Sequence, residues 1–136
     1  MPSIIVLDKL SPDGLALLDA AGRLGISYEV KTGLSGQELK EALASHDGAI
    51  CRSGVKITAD VLAGNHRLRA IVRAGVGTDN IDKQAATRQG IVVMNTPAGN
   101  TVSTAEHAFT LLLALSRNVA PADASLREKR WDRSKY

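Results

Sequence analysis

The sequence has a single cysteine and no long hydrophobic run, and both shortages limit what the protein can be. Cys51 cannot form a disulfide within the chain, and one cysteine fits a reducing compartment, so we expect a cytoplasmic protein. The longest apolar stretch, residues 109–115, includes Thr110 and is far too short to span a bilayer. The apolar run at residues 4–7 ends at Asp8, which is not the pattern of a secretory signal.

The sequence also has little net charge, which is +3 at neutral pH. The basic residues near the end of the chain form one cluster: Arg127, Lys129, Arg130, Arg133 and Lys135. No basic stripe continues through the rest of the chain, and only Trp131 and Tyr136 in this segment could stack on bases. We therefore expect a solvated tail, with neither nucleic acid nor membrane as a partner.

Short apolar runs alternate with helix-like segments over the first 94 residues. The predicted strands are residues 3–7, 26–30, 48–52, 68–72 and 91–94. A helix-like segment separates each strand from the next, which is typical of a parallel sheet with helices on both faces. We predict an α/β domain with a five-stranded parallel sheet over residues 1–99. Cys51 has apolar neighbours in the third strand, which favours a buried residue over a nucleophile.

Helix starts are also visible in the sequence. Ser11 is a good N-cap before Pro12, Ser35 begins a capping box, and Thr58 caps a short helix that ends at Leu62. The apolar face predicted for the first helix consists of Leu15, Leu17, Leu18 and Ala21. In the helix after Ser35, the residues predicted to face inward are Leu39, Ala42 and Leu43, and Gly90 is predicted to end the helix before the fifth strand.

The pattern changes after residue 99. Ser103 and Glu106 fit a second capping box, which predicts a long helix that ends near residue 118. Its apolar residues cover most of its circumference, and such a helix must be buried on more than one side. A five-stranded domain covers only one side, so we expect this helix to contact a second domain or a second subunit.

A glycine-rich turn, residues 73–80 (RAGVGTDN), lies between the fourth predicted strand and a helix-like run at residues 81–88. Such a turn directs backbone N–H groups at open space and can hold an anion. Gly75 and Gly77 would let the backbone approach a ligand closely. The turn is not a G-x-G-x-x-G motif, because Asn80 stands at the third glycine position, and no acidic residue follows at a distance suited to a ribose.

Five segments, taken together, resemble the N-terminal part of the D-2-hydroxyacid dehydrogenases, most closely the D-3-phosphoglycerate dehydrogenase branch. Their order and spacing fit that family from near residue 1 to the end of the chain. The segments are residues 52–58 (RSGVKIT), 73–82 (RAGVGTDNID), 85–90 (AATRQG), 93–97 (VMNTP) and 100–106 (NTVSTAE).

The resemblance implies a flavodoxin-like substrate-binding domain in residues 1–99. Residues 100–136 would be a hinge helix and a tail that lead into a Rossmann NAD-binding domain. The family's catalytic histidine, its supporting glutamate and its substrate-orienting arginine are expected beyond these 136 residues. We therefore expect an NAD-dependent oxidoreductase of serine biosynthesis whose present chain does not oxidise a 2-hydroxy acid alone.

The resemblance also assigns site residues. A side-chain pocket and the backbone of the glycine-rich turn would hold the substrate: Arg52, Ser53, Ala74, Gly75 and Val76. The nicotinamide edge and the hinge would involve Val76, Asn100 and Thr101. The apolar surface of the long helix predicts a homodimer through residues 101–118, and the resemblance implies that Trp131 packs against the partner. Gly54 departs from members that carry a larger or basic residue there, which leaves selectivity for a phosphate open.

The sequence fits several other functions less well. His46 and His66 lie in loop-like contexts and His107 lies in the long helix, so we interpret all three as structural. A receiver domain needs several carboxylates at the strand ends, whereas Asp8 stands alone. An FMN-binding flavodoxin needs a hydroxyl-rich loop after the first strand, and residues 7–10 lack one. A stand-alone dimeric binding or scaffold domain stays open, as does the substrate among 3-phosphoglycerate, glyoxylate, hydroxypyruvate and other acids. No metal site is predicted.

Overall fold

The structure is a computed structural model that describes residues 1–136. The chain forms two compact units, Met1–Gly99 and Asn100–Tyr136.

The first unit contains a five-stranded parallel sheet in the order β2-β1-β3-β4-β5. The predicted α/β class and parallel sheet are therefore confirmed, with strand ends that differ from the predicted ones by up to two residues. The strands are β1 Ser3–Val6, β2 Ser27–Val30, β3 Gly48–Cys51, β4 Ala70–Arg73 and β5 Val92–Asn95.

Four helices connect these strands: α1 Pro12–Ala21, α2 Gly36–Ala44, α3 Ala59–Leu62 and α4 Lys83–Arg88. A short 3₁₀ turn, Gly22–Leu24, follows α1. The chain moves one way along the sheet from β1 to β2 and the other way from β2 through β5. Right-handed crossovers therefore place α1 on one face and α2, α3 and α4 on the other. The contacts of α2 with α3 and of α3 with α4 agree with this placement.

The hydrophobic core lies mainly between the sheet and the face covered by α2, α3 and α4. Leu39, Ala42 and Leu43 of α2 are buried, as predicted from their spacing. The side chains of Ile5, Ile71 and Leu62 are inaccessible to solvent. Burying one such side chain contributes about 1.5–3 kcal/mol to folding, so this layer fixes the positions of the strands.

The face predicted for α1 is partly wrong. Ser11 caps α1 as expected, since its hydroxyl accepts the Gly14 N–H at 3.2 Å. No residue of α1 is buried, however, and Leu17 is 74% exposed. The reason is that α1 is alone on its face of the sheet within this unit, so only part of its apolar surface is covered.

The other predicted caps have different outcomes. Thr58 caps α3 as expected, because its Oγ1 accepts the Val61 N–H at 3.4 Å. Ser35 precedes α2 but its side chain makes no capping hydrogen bond. The expected stop after α4 is Gly90, which has a φ of 70°, in the left-handed region that favours glycine.

The amino ends of β1 and β3 are joined by an ionic network. Asp47 accepts the backbone N–H of Ser3 at 2.8 Å and an N–H of Arg67 at 3.2 Å. The Arg67 guanidinium and the Ser3 donors hold the pKa of the Asp47 carboxyl well below its usual range. This network organises the end of the sheet opposite to the glycine-rich turn.

The second unit consists of α5 Thr101–Ser116, α6 Val119–Arg127 and a 3₁₀ turn, Arg133–Lys135. The predicted long helix is present, but its capping box is wrong. Asn100 is the N-cap residue, and the Ser103 hydroxyl instead donates to the Asn100 carbonyl from inside the first turn. Asn118, with a φ of 49°, makes the break between α5 and α6.

The apolar side chains of α5 are exposed. Phe109 is 66% exposed, and Leu111, Leu112 and Leu113 are each at least half exposed. No helix in the structure is long and apolar enough to cross a membrane. The exposure agrees with a helix that needs a partner surface, while its role as a hinge stays a prediction.

Candidate functional site

The candidate site lies at the carboxyl ends of the strands, at the point where the strand order reverses. The chain leaves β1 toward β2 and leaves β3 toward β4, so the two loops diverge and open a crevice between them. Three segments meet at this edge: Asp8 after β1, residues 52–55 after β3 and residues 73–80 around the end of β4. We call these three segments the carboxyl edge.

The glycine-rich turn is held in place by the end of β5. The Gly75 carbonyl accepts the Thr96 N–H at 3.0 Å, and the Asn95 amide donates to the Val76 carbonyl at 2.7 Å. The backbone N–H groups of Val76, Gly77 and Thr78 make no hydrogen bond within the chain. A turn held at two points, with three unpaired N–H donors, has hydrogen bonds to offer an anion.

Arg73, the last residue of β4, folds back along this turn. A Cβ atom at Gly75 would overlap the Arg73 guanidinium, and the φ of Gly75 lies outside the left-handed region. A side chain at position 75 would therefore meet the Arg73 guanidinium, while the backbone conformation itself would accept one. The Arg73 Nε is buried without a partner, and the guanidinium forms no ion pair. An uncompensated, half-buried cation beside unpaired N–H groups makes this corner attractive to a carboxylate or a phosphate.

Arg52 is fixed at the same edge by two side chains. Its backbone N–H donates to Asp8 Oδ2 at 2.6 Å, and its carbonyl accepts the Asn80 side-chain N–H at 2.8 Å. Asn80 also donates to the Val55 carbonyl at 2.9 Å, which ties the two loops together. Ser53 is exposed next to Arg52.

The structure brings most of the predicted site residues together. Arg52, Ser53, Ala74, Gly75 and Val76 all lie on the carboxyl edge. The ligand role of each stays a prediction.

Asn100 and Thr101 belong to the second unit, where they are the N-cap and the first residue of α5. Their contact with NAD also stays a prediction.

Sequence analysis missed three residues of this edge. Arg73 could have been found, since it is a cation at the end of a predicted strand beside a glycine-rich turn. Asp8 and Asn80 had no local signal. Asp8 contacts a residue 44 positions away. Its partner is set by the sheet topology and not by neighbouring residues.

Cys51 lies beneath this edge and is inert as a nucleophile. Its side chain is inaccessible to solvent, which confirms the prediction of a buried strand residue. Burial and then the nearby Asp8 carboxylate raise the pKa of the Cys51 thiol to about 11, although Arg73 and Asn80 act in the opposite direction. A thiol with this pKa is protonated at neutral pH.

The two histidines of the first unit, His46 and His66, are not part of the carboxyl edge, and His107 belongs to the second unit. The Nδ1 atom of His46 is 2.7 Å from the Ala42 carbonyl oxygen, and its Nε2 atom is 3.1 Å from the Glu29 carboxylate. His66 is exposed in the loop before β4, and His107 is exposed on α5. No group of acidic, histidine or cysteine side chains is arranged to hold a metal ion.

The edge does not fit the pyrophosphate of a dinucleotide. A Rossmann site presents an uncapped helix N-terminus to the phosphates. Here the helix after the glycine-rich turn is α4, and the Asp82 carboxylate already accepts the Ala85 N–H at 2.8 Å in its first turn. The start of α4 is therefore not a pyrophosphate site of the Rossmann kind.

The sequence and the fold match known proteins closely. The sequence is 47% identical over 136 residues to D-3-phosphoglycerate dehydrogenase 2, chloroplastic, of Arabidopsis thaliana. This alignment covers 99% of the present chain and 21% of that protein. It is 43% identical over 133 residues to the D-3-phosphoglycerate dehydrogenase of Archaeoglobus fulgidus, covering 98% of this chain and 25% of that protein. The chain thus spans about a quarter or less of the length of these relatives.

Solved structures share the fold. The PH0520 protein from Pyrococcus horikoshii OT3 aligns with a TM-score of 0.83 and 32% identity, over 97% of this chain and 38% of that one. The NAD⁺-bound 3-phosphoglycerate dehydrogenase of Entamoeba histolytica aligns with a TM-score of 0.72 and 27% identity, over 83% of this chain and 38% of that one. The model of the D-isomer specific 2-hydroxyacid dehydrogenase catalytic domain matches residues 4–128. The chain therefore belongs to the D-isomer specific 2-hydroxyacid dehydrogenase family.

Proposed function

We propose that this chain is the substrate-binding part of an NAD-dependent D-2-hydroxyacid dehydrogenase, and that its substrate is 3-phosphoglycerate, as in serine biosynthesis. The observation that carries the proposal is the corner formed by the unpaired Arg73 guanidinium and the three unpaired N–H groups of residues 76–78. The identity to D-3-phosphoglycerate dehydrogenases supports this substrate over other 2-hydroxy acids. The single buried cysteine suits a reducing compartment such as the cytoplasm.

In this proposal the residues of the chain bind and orient the substrate. The substrate carboxylate accepts hydrogen bonds from the turn, and Arg73 and Arg52 balance the charges of the acid. Orientation of the reacting C–H bond is the contribution of this unit to the rate. NAD supplies the hydride acceptor when it is bound, and the carboxyl edge provides no pyrophosphate cradle for it.

Amide-resolved NMR tests the site. Titration with 3-phosphoglycerate should shift the amide signals of residues 52–54 and 73–78, and Arg73→Gln should weaken binding about tenfold because a charge-assisted contact is lost. Arg69→Gln is the matched control, since Arg69 lies just before the other end of β4. An unchanged spectrum at millimolar 3-phosphoglycerate would exclude a preformed substrate site.

We further propose that the chain alone does not catalyse oxidation. Neither histidine of the first unit is on the carboxyl edge, so this unit presents no general acid or base of that kind to the proposed substrate. NADH formation from 3-phosphoglycerate, followed at 340 nm, should not rise above that of heat-treated protein. Turnover above that control would overturn this part of the proposal.

A second candidate is a dimeric binding or scaffold domain without catalysis, and the exposed apolar side chains of α5 favour it. We propose that residues 101–118 form a homodimer interface, because a monomer would leave this apolar surface in water. Trp131, which is 78% exposed, would contact the partner as well.

Light scattering tests the dimer. The chain should be at least dimeric at micromolar concentration, and Leu112→Glu on α5 should yield a monomer. Leu17→Glu is the matched control, because Leu17 is also exposed but lies on α1. A monomer in the unsubstituted chain at high concentration would refute the interface.

A further inference from the structure

Asp8 is the only acidic side chain that contacts the proposed substrate loop after β3. It follows β1, beside β3 in the sheet, and its Oδ2 accepts the Arg52 N–H at 2.6 Å. A carboxylate that accepts a backbone N–H at this distance forms a strong, charge-assisted hydrogen bond. The start of the loop is therefore fixed by a side chain from another strand.

Hydrogen bonds fix the peptide units on both sides of Arg52. Asp8 accepts its N–H, and Asn80 donates to its carbonyl. The guanidinium adds only one contact of 3.4 Å, to the Lys9 carbonyl, and forms no ion pair. The direction in which the Arg52 side chain leaves the loop is thus set through its backbone, while its charge is left for a ligand.

The Asp8 carboxylate occupies the space that a side chain at position 54 would need. A Cβ atom at residue 54 would overlap Asp8 Oδ1, and the three heavy atoms nearest to it outside the neighbouring residues all belong to the Asp8 carboxyl group. The φ of Gly54 is outside the left-handed region, so alanine would suit the backbone. The nearest obstacle to a side chain at position 54 is therefore the Asp8 carboxylate in its present place.

We propose that Asp8 is a positioning residue for Arg52, and that residues 8 and 54 form one coupled pair that sets the affinity of the site for its anionic substrate. This inference rests on the proposed function of Arg52. Asp8 acts through the Arg52 backbone and does not itself contact the substrate. A side chain at position 54 would displace the carboxylate and free the loop.

Four variants test the coupling: Asp8→Ala, Asp8→Asn, Gly54→Ala and the double variant of Asp8→Ala with Gly54→Ala. Asp8→Ala should weaken 3-phosphoglycerate binding about tenfold, because the loop loses its charge-assisted anchor. Asp8→Asn should bind within about threefold of the unsubstituted chain, since an amide oxygen still accepts the Arg52 N–H. Gly54→Ala should weaken binding as Asp8→Ala does, and the double variant should be no weaker than Asp8→Ala alone.

A second readout does not need the ligand. The amide proton of Arg52 should resonate far downfield in the unsubstituted chain and in Asp8→Asn, and should move upfield in Asp8→Ala and Gly54→Ala. If the unsubstituted chain binds no 3-phosphoglycerate, the proposed function fails, and this signal alone decides whether Asp8 positions Arg52. If Asp8→Ala does not fold, Asp8→Asn and Gly54→Ala carry the same test.

Three results would overturn the inference. The first is an Arg52 amide signal that does not respond to Asp8→Ala or to Gly54→Ala. The second is equal affinity for 3-phosphoglycerate in Asp8→Ala and the unsubstituted chain. The third is additive loss of affinity in the double variant, which would show that positions 8 and 54 act independently.

Discussion

The protection of Cys51 can be predicted quantitatively. Its pKa is raised to about 11, first by burial and then by the Asp8 carboxylate. A thiolate is the reactive form, so at pH 8 about one native molecule in a thousand is reactive, against about one in ten for a thiol of pKa 9. Alkylation by iodoacetamide at pH 8 should therefore be at least about 100-fold slower in the native chain than in urea. Burial of the sulfur can only slow the native reaction further.

The control for this assay is a thiol at the same edge of the sheet. In a variant that combines Cys51→Ala with Ser53→Cys, the thiol stands on an exposed residue two positions away. It should react within about tenfold of the unfolded rate, as an exposed thiol does. A native Cys51 that reacts within tenfold of its rate in urea would refute both the burial and the electrostatic reasoning.

The same pKa shift predicts a loss of stability at alkaline pH. Because the pKa of the Cys51 thiol is higher in the folded chain than in the unfolded chain, the contribution of this thiol to the free energy of unfolding is fully present below pH 9. That contribution is lost as the pH rises toward 11. Between pH 8 and pH 10.5 this loss should be about 2 kcal/mol in the free energy of unfolding. Urea unfolding of the unsubstituted chain and of Cys51→Ala at both pH values isolates the effect, since alanine does not titrate. A constant difference between the two proteins would contradict the prediction.

Three further predictions concern the site and the core. Gly75→Ala should displace the Arg73 guanidinium and weaken 3-phosphoglycerate binding about tenfold in a calorimetric titration, with little loss of stability. Thr58→Ala should lower the free energy of unfolding by about 1 kcal/mol through the lost cap of α3, whereas Thr87→Ala on the exposed face of α4 should change it by less than about 0.5 kcal/mol. Leu43→Ala should cost about 3 kcal/mol in urea unfolding, because the side chain is inaccessible to solvent and leaves a cavity.

The sequence predicts the sheet because each strand is a short apolar run between helices. The strands were found in their order, and α2 buries the residues that its period-3.6 spacing indicated. Helix starts were less predictable. Thr58 caps α3, whereas α5 begins two residues before Ser103, because Asn100 and not Ser103 occupies its N-cap position. Local patterns thus fix element types better than their first residues.

The packing around the site could not be predicted from local patterns. The exposure of Leu17 depends on how many helices share its face of the sheet, which is a property of the strand order. The contacts of Asp8 with Arg52 and of Asn80 with Arg52 join residues 44 and 28 positions apart. The glycine-rich turn was visible as a candidate anion site, but the reason for Gly75, the overlying Arg73, appears only in three dimensions.

The carboxyl edge is assembled from the ends of β1, β3 and β4 and is held by the end of β5, so it exists only while these four strands are paired. A partly unfolded chain that has released any of these strands has lost the site. Ligand occupancy therefore reports on global folding, and binding adds its free energy to the stability of the complete unit. A ligand present at 100 times its Kd would raise the unfolding free energy by about 2.7 kcal/mol. A higher substrate concentration in the cell would therefore lower the fraction of molecules that are unfolded and accessible to proteases.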